Sequence, residues 1–108
     1  VKKALRIDVD GTRTVLEYHP DDEYTTLRDG VGGYIEAVDM PSVGVVMWCN
    51  EEGKINGLPV NATACEYYEV EFGALYDIIV GPVVFTGMAD DNGNMTSIPE
   101  ELLPVKEA

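Results

Sequence analysis

Positive charge is what this chain lacks most. Seven Lys and Arg face twenty Asp and Glu over 108 residues, a formal net charge of −13. Six basic and eleven acidic residues up to Lys54 leave −5. Beyond it Lys106 stands alone against nine acids, leaving −8, and no Lys or Arg falls between Ile55 and Val105. Phosphate backbones and anionic lipid surfaces are bound by neutralising cations, so neither direct nucleic-acid binding nor membrane association is expected. The favoured partner is a protein with a basic surface. The plainer reading of the same charge is solubility.

Other absences narrow the chemistry. His19 is the only imidazole, Ser42 and Ser97 are the only serines, and Cys49 and Cys65 are the only cysteines. A Ser-His-acid or Cys-His site would have to be assembled from these few residues, with no nucleophile-elbow context. Two thiols and one imidazole leave a structural zinc site short of its fourth good ligand, and two cysteines do not make a disulfide framework. No apolar run approaches the ~20 residues of a membrane helix. The first residues, Val1 to Asp8, are broken by charge too early for a signal peptide, so a cytoplasmic location is expected. Asn61-Ala62-Thr63 and Asn94-Met95-Thr96 match the glycosylation pattern, but no routing signal accompanies them.

What is present reads as one small domain over residues 1–108, built as α+β: a largely antiparallel sheet of about five to six strands with two to three short helices. Leu5, Ile7 and Val9 alternate with charged residues. Asp10-Gly11 and a β-rich run to Tyr18 follow, which predicts a two-residue hairpin pairing Val9 with Thr12, Ile7 with Thr14 and Leu5 with Leu16. Asp21 is expected to cap a helix over Asp22 to Asp29, with Tyr24, Leu27 and Val31 on one face and the glycines at 30, 32 and 33 ending it. A strand is expected over Tyr34–Asp39. The apolar run Val43–Cys49 is predicted as the central strand, buried on both faces. Lys54–Asn56 is predicted to return as its short hairpin partner. Thr63 and Glu66 have capping-box spacing, opening a helix through about Glu69. Tyr76–Val80 and Val83–Thr86 read as strand pieces around Gly81-Pro82, Asp90–Asn94 as a turn, and Ser97 and Glu100 as a second capping box before Glu101–Leu103.

Three motifs invite chemistry. Asp8-Val9-Asp10-Gly11-Thr12 resembles the first motif of the haloacid-dehalogenase phosphatases, but the parallel sheet and later motifs of that superfamily are missing, and a hairpin accounts for it. Asp90-Asp91-Asn92-Gly93-Asn94 suggests a calcium loop. Aligning Gly93 with the invariant loop glycine puts Met88 first and Pro99 twelfth, where carboxylates are needed, so a turn accounts for it. The glycines at 30, 32 and 33 precede a strand rather than a helix and form no phosphate cradle. No catalytic residue, cofactor or metal is expected.

Two binding surfaces remain. Glu66, Tyr67, Tyr68, Glu69, Glu71 and Asp77 form an aromatic and acidic segment suited to anchoring a basic partner, with carboxylates that would mimic nucleic acid if set at phosphate-like intervals. The alternative is a small-ligand pocket near residues 50–61, with Asn50, Glu51, Gly53 and Asn61 presenting polar groups. A homo-oligomer through an exposed sheet edge is open.

Three stretches carry a resemblance: Val31–Val38 with its Gly-Gly-Tyr-Ile-Glu, Asn50–Asn61, and Asp77–Val83. In this order they resemble a family of small proteins of unknown function from actinobacterial phages, bacterial genomes and mobile elements. The resemblance spans about Val31 to Gly87 and implies a phage or mobile-element protein acting in the host cytoplasm. Together with the acidic surface, the expected role is a non-enzymatic accessory protein that binds and modulates a host macromolecule. It implies no established activity and no catalytic residue.

Overall fold

A tight loop at Asp8–Thr12 starts the sheet. The Gly11 N–H donates to the Asp8 carbonyl, the Asp8 N–H donates to the Thr12 carbonyl, and Gly11 sits at φ 88°. This is a three-residue hairpin loop, a β-turn closed by a left-handed glycine. Hydrogen bonds from Thr12 hold the Asp10 carboxyl below its ordinary pKa. The loop joins β1 (Lys2–Ile7) to β2 (Arg13–Tyr18) in a register that pairs Ile7 with Arg13 and Leu5 with Val15. The expected two-residue turn is therefore corrected by one position. That slip sends Leu16 to the face opposite Leu5 and leaves Val15 exposed beside it.

The computed structural model describes residues 1–104. Its remaining strands are β3 (Ile35–Met40), β4 (Val45–Asn50) and β5 (Val83–Gly87), and its helices are α1 (Glu23–Val31) and α2 (Ala62–Phe72). Short 3₁₀ turns cover Pro20–Asp22 and Glu100–Leu102. All five strands join one antiparallel sheet in the order β2-β1-β5-β4-β3. The α+β class, five strands and two helices are as the sequence predicts. The central place goes to β5, all of whose residues are buried, rather than to the Val43–Cys49 run. β4 is still buried on both faces, because β5 and β3 flank it and a helix covers each side.

Strand alternation divides the core in two. Leu5, Ile7, Met47, Cys49, Val83 and Phe85 face α2, whose buried Ala64 and Cys65 turn toward them. Ala4, Tyr18 and Val84 face Leu27 and Val31 of α1, flanked by Leu16, Ile35 and Trp48. Gly30 lies inside α1 rather than ending it. Its bare Cα seats the helix on β5, where a Cβ would stand 2.5 Å from Val84 Cγ2. Arg6 fastens β1 to the same helix end, donating from Nε to the Gly30 carbonyl at 2.9 Å. Tyr24, expected on the buried face, is exposed, and Asp21 is displaced as cap by the Pro20–Asp22 turn.

Four further expectations are corrected. Lys54–Asn56 makes no strand: residues 51–57 are successive turns, closed by bonds from Asn56 N–H to Glu52 and from Gly57 N–H to Lys54. Tyr76–Val80 stays irregular apart from one bridge between Val80 and Val60. The helix predicted from Thr63 begins at Ala62 under an Asn61 cap and runs to Phe72, past Glu69. Ser97 does not cap either, since its Oγ accepts from the Lys3 N–H at 2.9 Å.

Candidate functional site

The acidic segment folds into α2 and the irregular chain behind it. Helical spacing sets Glu66, Glu69 and Val70 on the outer surface, all exposed, while Ala64 and Cys65 turn inward. The two tyrosines do not stand free as the sequence suggests. Tyr67 packs its ring on Phe85 with centroids 5.0 Å apart, and Tyr68 packs on Phe72 at 4.5 Å. Both remain half-buried, and the Tyr67 hydroxyl accepts from Arg13 Nη1 at 3.4 Å. Glu71 is committed to the fold, accepting from the Ser42 N–H at 2.9 Å. Asp77 is paired with Lys54 and also accepts from the Ile78 N–H at 2.9 Å. That Asp77 hydrogen bond raises the Lys54 pKa.

The residues left exposed differ from those expected. Val70 is 79% exposed and Tyr76 78%, and Phe72, Leu75 and Ile78 are each exposed by about two fifths. These five large apolar side chains fall within nine consecutive residues. A groove of about 300 Å³ opens beside the helix, lined by Arg13, Val43, Thr63, Glu66, Tyr67 and Val70. The surface is thus apolar along the chain and acidic along the helix ridge. Sequence reading grouped Phe72 and Tyr76 with the aromatic and acidic segment but missed Val70 and Leu75, whose exposure depends on where α2 ends. A signal was present: Gly73, at φ 82°, closes the helix as a left-handed cap and leaves the following chain without a periodic partner face.

The alternative pocket is built from fewer of its predicted residues. Glu36, Cys49, Asn50, Glu51, Lys54 and Asp77 line a cleft of about 120 Å³ with Ile78–Val80 beside it. Asn50 and Glu51 are there. Gly53 is buried beneath Val80, and Asn61 is fully buried and does not line the cleft. All of Asn61's side-chain bonding goes to the fold: Nδ2 donates to Ile7 and Gly81 carbonyls, and Oδ1 accepts from the Ala64 N–H. Burial, then Glu36 and Asp77, push the Cys49 thiol up to about 12, so it is held as a neutral thiol. Cys65 is also buried, with its sulfur bonded to both backbone groups of Ile79. Among the described residues no group of His, Cys, Asp and Glu is arranged to hold a metal, and no helix is long and apolar enough to cross a membrane.

These features define an α+β domain with one antiparallel sheet, a helix on each face, and one helix surface both acidic and apolar. The chain belongs to the family described as a domain of unknown function (DUF3846), whose model matches residues 2–107. No curated protein and no solved structure shows significant similarity to it.

Proposed function

We propose that this protein is a non-enzymatic binding module of phage or mobile-element origin that docks a host protein in the cytoplasm through α2 and residues 73–78. The observation that carries this reading is the exposure of Val70 and Tyr76 next to the carboxylates of Glu66 and Glu69, with no cation in the chain from Ile55 to Val105. Exposed large apolar side chains are unfavourable in water unless a partner covers them, and concentrated patches mark interaction surfaces. The carboxylate ridge selects a basic partner and steers its approach. The interspersed apolar groups favour a mixed protein interface over pure mimicry of nucleic acid, whose backbone displays a regular array of charged phosphates.

The test is capture of tagged wild-type protein from host lysate beside a Glu66→Lys/Glu69→Lys variant, at low and high salt. Glu66 and Glu69 are the choice because Glu71 and Asp77 hold the fold. A basic protein retained by wild type, released by salt and lost from the variant supports the reading. Retention by both at high salt contradicts it.

A further inference from the structure

We infer that the exposed edge strand β2 pairs antiparallel with β2 of a second copy of this chain, about a two-fold axis through Val15. The two outer strands of the sheet are β2 and β3. In β2 the alternation begins at the Asp8 N–H to Thr12 carbonyl bond, so Thr12, Thr14 and Leu16 turn their backbone groups to β1. Arg13, Val15 and Glu17 turn theirs outward, with no hydrogen-bond partner among the described residues. An antiparallel partner must match outward residues with outward residues. Centring on Val15 uses all three: Val15 meets Val15 of the second copy, Arg13 meets its Glu17, and Glu17 meets its Arg13. Each of these pairs then exchanges both of its hydrogen bonds, and each charged pair is of opposite sign. Shifting the register by two residues in either direction loses a pair and both charge matches.

The other edge does not offer this. The Glu51 N–H donates to the Tyr34 carbonyl, so Ile35, Ala37 and Asp39 face outward on β3. Self-pairing there sets Asp39 against Ile35, with no cation to meet it, and an unmatched edge charge is a common guard against such pairing. At β2 the exposed Val15, 40% accessible, becomes covered at the axis. α1 packs mainly against β3, β4 and β5, and it meets β2 through Leu16 and Tyr18, whose backbone groups turn to β1 rather than outward. Because the axis runs perpendicular to the sheet, both α2 helices stand on the same face of a ten-stranded sheet. The dimer would therefore present the proposed docking surface twice, although its existence does not depend on that surface having a partner.

Sedimentation equilibrium of the full chain, in a concentration series at physiological ionic strength, tests the pairing. Wild type is expected to rise from 11.8 kDa towards twice that mass. Arg13→Glu and Glu17→Arg should each weaken association roughly tenfold or more, since each sets like charges opposite one another at two symmetric positions. The two variants move net charge in opposite directions, so general repulsion predicts opposite effects and pairing predicts the same effect. The double variant Arg13→Glu/Glu17→Arg restores both matches at unchanged net charge and should restore the dimer. Circular dichroism checks that each variant is folded. A wild type that stays at 11.8 kDa, single variants that associate as wild type does, or a double variant that fails to recover would overturn the proposal.

Discussion

Asn61 reaches the carbonyl of Ile7, 54 positions earlier in the chain, with a hydrogen bond of 3.0 Å from Nδ2. The same amide donates to Gly81 at 2.9 Å, and its oxygen caps α2 at Ala64. One buried side chain thus joins the end of β1, the start of α2 and the approach to β5.

Replacing Asn61 should cost more than a helix cap. Asn61→Ala removes three buried hydrogen bonds, those to the Ile7 and Gly81 carbonyls and the one from the Ala64 N–H, and is expected to lower stability by about 3 kcal/mol in urea unfolding. Asn61→Asp keeps the capping oxygen and normally serves as well at this position. Here it sets a carboxylate against two carbonyls, so it should be about as damaging as alanine. An aspartate variant within ~0.5 kcal/mol of wild type would show that capping alone is the role.

Gly30→Ala reverses the usual helix trend. In an open helix the change would add up to ~1 kcal/mol of stability. Against Val84 it should instead lose about 1–3 kcal/mol through overpacking. Gly30→Ala combined with Val84→Ala should recover part of the loss, and a double-mutant cycle measures that coupling.

Alkaline pH should unfold the protein progressively. The Cys49 thiol and the Tyr18 hydroxyl are each pushed up to about 12, the first by burial and the carboxylates of Glu36 and Asp77, the second by burial and Glu23. Both keep their protons in the folded chain above the pH at which the unfolded chain loses them. Unfolding then releases protons, so the stability they contribute is complete below about pH 9 and is lost as pH rises through about 12. Each contributes a slope of up to about 1.4 kcal/mol per pH unit. Cys49→Ala should flatten the dependence of urea midpoints between pH 9 and 11, and an unchanged slope would count against a buried neutral thiol.

Local patterns made much of this fold legible. β1, β2, β3 and β4 follow from alternation and apolar runs, and α1 and α2 are legible as helices although Asp21 and Thr63, expected to cap them, do not. The misreadings share a physical cause, which is that they depend on distant partners. Asp10-Gly11 specifies a turn but not its length, and the glycine's place as the third loop residue shifted the register by one. Tyr76–Val80 has strand composition, but its end pairs only with the short Val60 segment and it joins neither outer strand of the sheet. Asn61 read as a ligand-loop residue because its partners, Ile7 and Gly81, lie far off in the sequence. The acidic ridge of Glu66 and Glu69 was readable from helical spacing. The packing of Tyr67 on Phe85 was not, since it requires knowing that β5 lies beneath α2.

The central claim is that α2 and residues 73–78 form the docking surface. Hydrogen exchange of the chain, free and bound to its captured partner, tests this most directly. The account predicts new protection concentrated in residues 62–78, with the β3 edge and the Asp90–Asn94 turn exchanging as in the free protein. Protection confined to the β3 edge or to residues 50–57, with α2 unchanged, would contradict it.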